Sequence, residues 1–435
     1  MTWPRPGSRL ALQGLAPKMT QMATPTDARV PVRKAGRVSS SRPALSTIGD
    51  SDLAALLREL GQPSWRARQL RDATWHPYVS GFEEIRQLPG GLRAELGGRL
   101  RFSTAAVTSE RVADAGLTLK LLCALEGPQT VETVAMESPA RGASGRRATV
   151  CVSTQVGCAV GCPFCATGRM GLRRSCTPAE VVDQVRLAGQ ALSRRALGPV
   201  THVVYMGMGE PLAAYETTVA SLRVLVAAGG ISPRRITVST SGVVPGIRRL
   251  ATEGLPVTLA VSLHAASDAL RDRLVPLNRA HPLDGLVAAA GAYARATGRR
   301  LSLEWCLIGG VNDGLDQAAG LVGIARRLGA HVNVIPMNRI EGSPWGPPPA
   351  AVGRAFLRHL TGAGVTVTVR DTRGGEAEAA CGQLRAALEP RRQLRPDGTL
   401  TPQRPVRRGA PIRAENGSHP AGRGDRPTSG GPQGP

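Results

Sequence analysis

The sequence predicts an α/β protein in which a largely parallel sheet follows a small helical module. Seven short apolar runs alternate with helical stretches between residues 148 and 370. Such β-then-α alternation is typical of a parallel sheet, either a closed or partial barrel or a doubly wound sheet. Hydrophobic residues make up 42% of the chain and aromatic residues only 3%, so the core has to be aliphatic, as in tightly packed α/β domains.

Charge points to a polyanionic partner. The 435 residues carry a formal net charge of +23. Residues 1–46 hold +7 of it and residues 389–435 hold +5, which leaves +11 for the part expected to fold. Both terminal segments are Arg-rich and Pro-rich with little apolar content, so we expect them to be disordered. Because the middle is basic in its own right, nucleic acid is a serious candidate partner.

The chain shows no signal for a membrane. No segment approaches the roughly 18 apolar residues of a membrane span, and Leu10–Ala16 is too short and interrupted for the core of a signal peptide. We therefore expect a cytoplasmic, thiol-reducing setting. We also expect the protein to be a monomer. Eight cysteines in that setting indicate chemistry or burial rather than disulfide scaffolding.

Residues 47–103 are predicted to form the helical accessory module. Asp52–Gly61 is an amphipathic helix closed by a glycine, a second helix begins at Ser64, and Phe82–Leu100 continues in helical spacing. Trp65 and Trp75 are expected in its core, the alternative being that they are platforms for base stacking. Three arginines at helical spacing could face RNA phosphates or lie on a solvated face, and both readings stay open: Arg66, Arg68 and Arg71.

Residues 104–137 are predicted to form a β-hairpin linker. Leu117–Leu125 and Thr130–Met136 are strand-like runs around a Gly-Pro turn. Glu132 lies inside the second run, where a carboxylate should be at an edge, paired or functional. From its position alone we expect an edge residue. Ser138–Arg147 is predicted to be a flexible loop.

Residues 138–388 form the predicted core domain. One of its helices opens at Thr177 with a capping box and a proline at the first helical position. The predicted strands are Ala148–Ser153, His202–Met206, Arg235–Ser239, Val257–Leu263, Leu301–Leu307, His331–Ile335 and Val365–Arg370.

Three cysteines, Cys158, Cys162 and Cys165, follow the first of these strands in a C-x3-C-x2-C spacing. They are one ligand short of the usual four, so a [4Fe-4S] cluster held here would keep one iron open, which suggests catalysis. The alternatives are a zinc knuckle with a distant fourth ligand or a disulfide framework. The spacing resembles that of radical S-adenosylmethionine (SAM) enzymes.

Polar residues collect at the carboxyl ends of the predicted strands, where α/β proteins do their chemistry. Gly207 and Gly209 would let backbone approach the methionyl part of SAM, and Glu210 can accept hydrogen bonds from its ammonium group. Further contacts are expected from the later strand ends, at Ser239, Ser262, Leu263, His264 and Asn338.

A last candidate lies near the end of the core. Cys381 stands between Ala380 and Gly382, so a loop could present its sulfur to a ligand. The alternative is a small buried hydrophobic residue.

With these motifs the chain resembles the RlmN/Cfr family of radical SAM RNA adenosine methyltransferases over about residues 50–388. The matching motifs are Pro63-Ser-Trp-Arg-Ala-Arg-Gln-Leu, Val131-Glu-Thr-Val, Cys151-Val-Ser-Thr-Gln-Val-Gly-Cys, Met206-Gly-Met-Gly-Glu-Pro-Leu, Ser239-Thr-Ser-Gly-Val-Val-Pro, Ser262-Leu-His-Ala, Val311-Asn-Asp-Gly and Ala379-Ala-Cys-Gly-Gln-Leu.

The resemblance implies a partial (β/α) TIM-type barrel as radical SAM core, with a helical N-terminal accessory domain that binds RNA. It implies methylation of C2 of an adenosine in 23S ribosomal RNA, with tRNA as a possible second substrate. One SAM would methylate Cys381, and a second would be cleaved at the cluster to a radical that activates the S-methyl group. Cys151 would then attack Cys381, leaving a disulfide, with Glu132 as general acid/base.

The same resemblance implies one [4Fe-4S] cluster per chain, two SAM molecules per turnover and a low-potential electron donor such as flavodoxin or ferredoxin. Cys123, Cys176 and Cys306 match no such role and are expected to be core or incidental residues. Ser175, Cys176 and Ala214 depart from the family pattern, which leaves the substrate open. The alternatives are C8 methylation of the Cfr type and a non-catalytic RNA-binding paralogue.

Overall fold

The computed structural model describes residues 42–75, 79–138, 145–340 and 343–370. Several sequence-based expectations fall outside these ranges. They concern Cys381, most of the Ser138–Arg147 loop, the C-terminal segment 389–435 and all but the last residues of the N-terminal extension.

The accessory module contains three helices, as the spacing predicted. They are α1 (Asp50–Glu59), α2 (Trp65–Trp75) and α3 (Gly90–Arg99). Apolar residues from all three helices form a hydrophobic cluster of their own, with Leu53 and Leu96 fully buried. The expected boundary of the extension at residue 46 is wrong, because Leu45 is buried in this cluster and its N–H donates to Arg101 O at 2.9 Å.

The two tryptophans of α2 do not share the module's core, contrary to expectation. Trp65 is 56% exposed, and the Arg66 guanidinium lies 4.3 Å from its ring centroid. Trp75 is buried in the hydrophobic core of the main domain, so α2 anchors the module there. Arg71 is also used within the module, because it donates to Asp50 and to the Ile48 carbonyl. Arg71, one of the three candidate phosphate ligands, is therefore engaged in hydrogen bonds within the module.

Three antiparallel strands follow the module: β1 (Ala106–Ala113), β2 (Thr118–Ala124) and β3 (Thr130–Ser138). The β2–β3 hairpin was predicted, whereas β1 was not. β3 continues antiparallel onto β4 (Arg147–Cys151), so the segment expected as a linker extends the main sheet.

The main domain then alternates strands and helices, each predicted strand lying close to its expected position. The remaining elements are β5 (Gln155–Val156), α4 (Ala166–Met170), β6 (Arg174–Ser175), α5 (Pro178–Arg194), β7 (Val200–Tyr205), α6 (Tyr215–Ala227), β8 (Ile236–Thr240), α7 (Val244–Leu250), β9 (Thr258–Ser262), α8 (Asp268–Leu274), α9 (Leu283–Thr297), β10 (Ser302–Leu307), α10 (Leu315–Leu328), β11 (His331–Pro336), α11 (Ala350–Gly362) and β12 (Val367–Val369).

The strand order decides between the two predicted architectures. The ten-stranded sheet runs β1-β2-β3-β4-β7-β8-β9-β10-β11-β12, and all pairs from β4 onward are parallel. A doubly wound sheet reverses its order at a switch point. Here each new strand is added on the same side, which is the winding of a (β/α) barrel. This confirms the α/β class with a partial TIM-type barrel.

Local signals explain how the helices are placed. Thr177 and Glu180 form the predicted capping box, with both hydrogen bonds made, at 2.8 and 3.2 Å. The inward side chains of the barrel and its helices form one large aliphatic core. Among the helices of the described ranges, none is both long and apolar enough to span a bilayer.

Candidate active site

A cavity of about 180 Å³ opens at the carboxyl ends of the parallel strands. This is the end at which barrel enzymes place their chemistry. Its wall brings together most of the predicted cluster and cofactor residues: Cys158, Cys162, Cys165, Gly209, Glu210, Ser239, Ser262, His264 and Asn338.

The cysteine loop is shaped by close backbone packing. Gly157 has φ +77°, and a Cβ there would lie 1.8 Å from Gly171 O. A Cβ on Gly168, in α4, would lie 2.6 Å from Cys162 O. Cys158 N–H donates to Gly171 O at 3.2 Å. The glycines before and after the cysteines therefore fix the path of the loop, which turns its thiols toward the cavity.

The three thiols influence one another. Burial raises the pKa of Cys158 to about 12, and the nearby Cys165 adds to the rise. Burial also holds the pKa of Cys162 well above its usual value, with both other thiols adding to the shift and Arg271 opposing it. Thiols in such surroundings become thiolates when a cation replaces their protons.

This donor set fits a [4Fe-4S] cluster with one open iron, held by Cys158, Cys162 and Cys165. No described group of three or more His, Cys, Asp or Glu side chains is arranged as a formed metal site. The assignment of a cluster therefore rests on the position of the three thiols in one cavity wall and on the affinity of sulfur ligands for iron.

The turn after β7 carries the two glycines of the Gly-Met-Gly-Glu motif. Gly209 has φ +101°, and a Cβ there would lie 2.6 Å from Gln155 Cβ. A Cβ on Gly207 would lie 2.5 Å from Val152 O. The sequence suggested that these glycines make room for a ligand. The structure gives a second reason, since both also allow the turn to pack against the segment that leads into the cysteine loop.

Glu210 is buried and held in place by donors from two segments. One carboxylate oxygen accepts hydrogen bonds from Ser241 N–H and Oγ–H, at 2.7 and 2.6 Å. The other accepts from Leu212 N–H at 3.0 Å. Burial raises the pKa of Glu210, and these hydrogen bonds oppose the rise. A carboxylate so oriented keeps lone pairs for an ammonium group in the cavity. Ser241 was missed, although it lies two residues after Ser239.

Neighbouring strand ends supply further polar groups. Ser239 and Ser262 approach with 3.3 Å between their Oγ atoms. Glu304, on β10, also lines the cavity and was not singled out. Its two oxygens accept from Ser302 Oγ and Asn333 Nδ2, both at 2.7 Å. The sequence did contain a signal for Glu304, because it is a carboxylate within an apolar strand, as Glu132 is.

His264 is held in an unusual conformation with φ +61°. Its Nδ1 accepts the Cys306 N–H at 3.0 Å, so the ring proton is assigned to Nε2. Burial lowers the pKa of His264 to about 3, and Arg271 adds to the shift, so the ring is neutral. A buried non-glycine residue with positive φ is typical of functional sites. The adjacent Leu263 is not part of the wall, because its side chain packs into the main core.

Arg271 joins the ends of β8 and β9. It is fully buried and donates to the carbonyls of Ser241, at 2.7 Å, and Leu263, at 3.0 Å. Asn278 accepts a further hydrogen bond from it at 2.8 Å. No sequence signal separates this arginine from solvated helix residues. Cys306, to which no role was assigned, packs against a buried hydrophobic cluster and also lines the cavity.

Two of the three residues predicted to carry out methyl transfer, Glu132 and Cys151, lie beside this wall. Glu132 is on β3, an interior strand, so its expected edge position is wrong. It forms an ion pair with Lys120, 2.9 Å between Nζ and Oε1. Its N–H approaches Met208 Sδ at 3.4 Å, in the turn that carries the cavity carboxylate. Cys151 is buried at the end of β4, the strand next to β3. Cys381 lies outside the described residues.

Comparisons with known proteins agree with this geometry. Residues 152–321 match the Radical SAM superfamily. The chain is 46% identical to an RlmN protein from Salinispora tropica, over 84% of this chain and 98% of that protein. It is 44% identical to an RlmN protein from Mycolicibacterium gilvum, over 78% and 93% of the two chains.

A radical SAM methyltransferase of Sphaerobacter thermophilus, known from its crystal structure, is 44% identical with a TM-score of 0.75. The alignment covers 79% of this chain and 99% of the other. The cavity, the cysteine loop and these similarities together show that the chain belongs to the RlmN family of radical SAM RNA methyltransferases.

Proposed function

We propose that this enzyme methylates C2 of an adenosine in 23S ribosomal RNA and also acts on tRNA. Its relatives are named dual-specificity RNA methyltransferases, which supports two RNA substrates. One observation carries the proposal: the turn that holds Glu210 in the SAM cavity also contacts Glu132 on β3. The strand pair β3–β4, with Glu132 and Cys151, thus adjoins the place where SAM would bind.

Each residue has a distinct task in this proposal. Cys158, Cys162 and Cys165 hold one [4Fe-4S] cluster per chain, which supplies the electron that cleaves SAM reductively. Glu210 receives the ammonium group of SAM. Contacts from the strand ends position the rest of the cofactor: Gly209, Ser239, Ser262, His264 and Asn338. The predicted contact from Leu263 is not kept, because its N–H donates to Glu304 O and its carbonyl accepts from Arg271.

The cysteines and Glu132 carry the methyl group to the base. C2 of adenine is not nucleophilic, so ordinary transfer from SAM cannot reach it. Cys381 accepts a methyl group from one SAM, and a second SAM activates that methyl group, which makes two SAM molecules per turnover. Cys151 then attacks Cys381 and releases the product as a disulfide forms, while Glu132 moves a proton.

The partners and the setting are part of the same proposal. A low-potential donor such as flavodoxin or ferredoxin would reduce the cluster, and the enzyme would work as a cytoplasmic monomer. The helical module at residues 47–103 would contact RNA. Exposed Trp65, with Arg66 over its ring and Arg68 nearby, offers both a stacking surface and phosphate ligands.

Mass spectrometry of 23S ribosomal RNA and tRNA, from cells with and without the protein, tests the proposal. We expect a 2-methyladenosine that depends on the protein and disappears with Cys381→Ala. A methyl group on C8 would assign the enzyme to the Cfr type. RNA binding without any methylation would show a non-catalytic paralogue.

A further inference from the structure

We infer that Lys120 is a positioning residue that keeps the Glu132 carboxylate ionised and ready to take a proton from the adenine ring. The inference rests on the proposed role of Glu132. Lys120 Nζ lies 2.9 Å from Glu132 Oε1, and the two side chains are only 7% and 5% exposed. Nothing in the sequence pattern paired these residues, because their meeting depends on the strand register.

The register of the β2–β3 hairpin produces the contact. Leu122 is directly opposite Glu132, and Lys120 is two residues before Leu122, so it lies on the same face of the sheet as Glu132. Such diagonal neighbours are within reach of a long side chain. The backbone of Glu132 is held as well, since its carbonyl accepts from Ser153 Oγ at 2.5 Å and its N–H meets Met208 Sδ.

Burial alone would favour the protonated form of the Glu132 side chain, which cannot act as a base. Desolvation favours the neutral acid, and a protonated acid cannot accept a proton. An ammonium in contact favours the ionised form. The ion pair with Lys120 therefore allows the buried Glu132 carboxylate to stay ionised until it accepts the proton.

Other charged groups lie on the elements around this ion pair. On the β1 side, Arg111 is directly opposite Lys120 and is exposed. On the β4 side, the nearest titratable group is the Cys151 thiol. β5 contributes neutral side chains, Gln155 and Val156. α5 packs on the opposite face of β3, where its acids have partners of their own. These acid–arginine pairs are Glu180 with Arg174 and Asp183 with Arg186.

The step itself is a simple proton transfer. When the methyl-derived carbon has bonded to the ring carbon, the C–H bond there breaks and its electron pair stays in the ring. The proton bonds to a Glu132 oxygen, which becomes a carboxylic acid beside the Lys120 ammonium. The ring then holds one electron in excess, which would pass to the oxidised cluster that gave up one electron when SAM was cleaved, so no further oxidant is needed.

Single-turnover methylation between pH 6 and pH 9, with the complete enzyme bearing methylated Cys381, tests the inference. With Lys120→Met we expect at least a tenfold loss at pH 7 that recovers toward pH 9, where the carboxylate ionises without help. Lys120→Gln, which is polar but uncharged, should show the same displaced profile if the methionine variant does not fold. Lys120→Arg should keep the original profile.

Two results would overturn the inference, and Glu132→Gln distinguishes them. A Lys120→Met or Lys120→Gln rate that falls equally at every pH, while Glu132→Gln is inactive, would make the ion pair purely structural and leave the proposed function intact. Normal turnover by Glu132→Gln would remove the proposed base, and the role of Lys120 with it. Iron content and methylation of Cys381 should stay unchanged in all of these variants.

Discussion

At the scale of single residues, the site keeps polar groups in defined states away from water. The Glu210 carboxylate accepts hydrogen bonds from Ser241 and Leu212. Arg271 donates hydrogen bonds to backbone carbonyls at the ends of β8 and β9. His264 is kept neutral by burial. Such groups are costly to bury without partners, so their arrangement fixes the shape of the cavity.

The cluster ligands give the first prediction. Anaerobically reconstituted protein should bind about four irons per chain and show a charge-transfer absorbance. Cys158→Ala, Cys162→Ala and Cys165→Ala should each abolish both, because each removes a sulfur ligand. Cys176→Ala, at a buried cysteine outside the cavity wall, is the matched control and should keep its iron. Zinc in place of iron in the reconstituted enzyme would contradict the cluster assignment.

Substitutions of Cys381 and Cys151 should block the reaction at different steps. Cys381→Ala should form no methylated protein and no product, because the carbon has no carrier. Cys151→Ala should still join RNA to the enzyme but should not release it. Denaturing gels of labelled RNA should then show a covalent complex with Cys151→Ala alone. Normal turnover by this variant would exclude the assigned role of Cys151.

His264 gives a prediction for pH. Its folded pKa of about 3 lies below the ordinary 6.5, so between these values the unfolded chain binds the proton more readily. Its effect is absent well above pH 6.5, and stability is lost as the pH falls through that value. From pH 7 to pH 5 this histidine should cost about 2 kcal/mol of unfolding free energy.

Urea unfolding of the metal-free protein at both pH values measures this cost. His264→Asn removes the titrating ring, and asparagine tolerates the positive φ. This variant should lose less stability between pH 7 and pH 5 than the native chain. His359→Asn, on the exposed surface of α11, should leave the loss unchanged. An equal loss in His264→Asn would show that other groups cause it.

At the scale of elements, sequence patterns located the features that local chemistry determines. The parallel strands were predicted because buried strands are continuous apolar runs, and α5 because its capping box is local. β1 was missed because this edge strand mixes polar and apolar residues and is only partly buried on either face. The partners of Glu132 and Glu304 depend on strand register, and the burial of Arg271 depends on how α8 packs, which no local pattern encodes.

The packing of α4 against the cysteine loop can be tested at one glycine. A Cβ at Gly168 would lie 2.6 Å from the Cys162 carbonyl oxygen and 2.9 Å from its nitrogen, so Gly168→Ala must displace the loop. We expect reduced iron content and loss of methylation. Gly323→Ala, in α10, meets no atom within 4 Å and should keep full iron. As a helix-interior alanine it should add up to about 1 kcal/mol of stability. Full iron in Gly168→Ala would mean that the loop tolerates the shift.

At the scale of the whole molecule, the distribution of charge separates binding from recognition. Residues 1–41 carry +6 and residues 389–435 carry +5, which leaves +12 on residues 42–388. The barrel, the cavity and the accessory module all lie within that middle part. Phosphate attraction is independent of sequence, whereas the choice of base requires contacts at the site.

Removing both terminal segments should therefore weaken RNA binding without changing which adenosine is methylated. The truncation should spare Leu45, because residues 42–46 belong to the packed module. For each phosphate ligand that the truncation removes, the slope of log K against log salt should fall by about 0.7 to 0.9. Binding of full-length and truncated enzyme to a ribosomal RNA fragment, measured against ionic strength, gives this slope. An unchanged slope would assign all phosphate binding to residues 42–388, and a changed methylation site would show that the terminal segments take part in recognition.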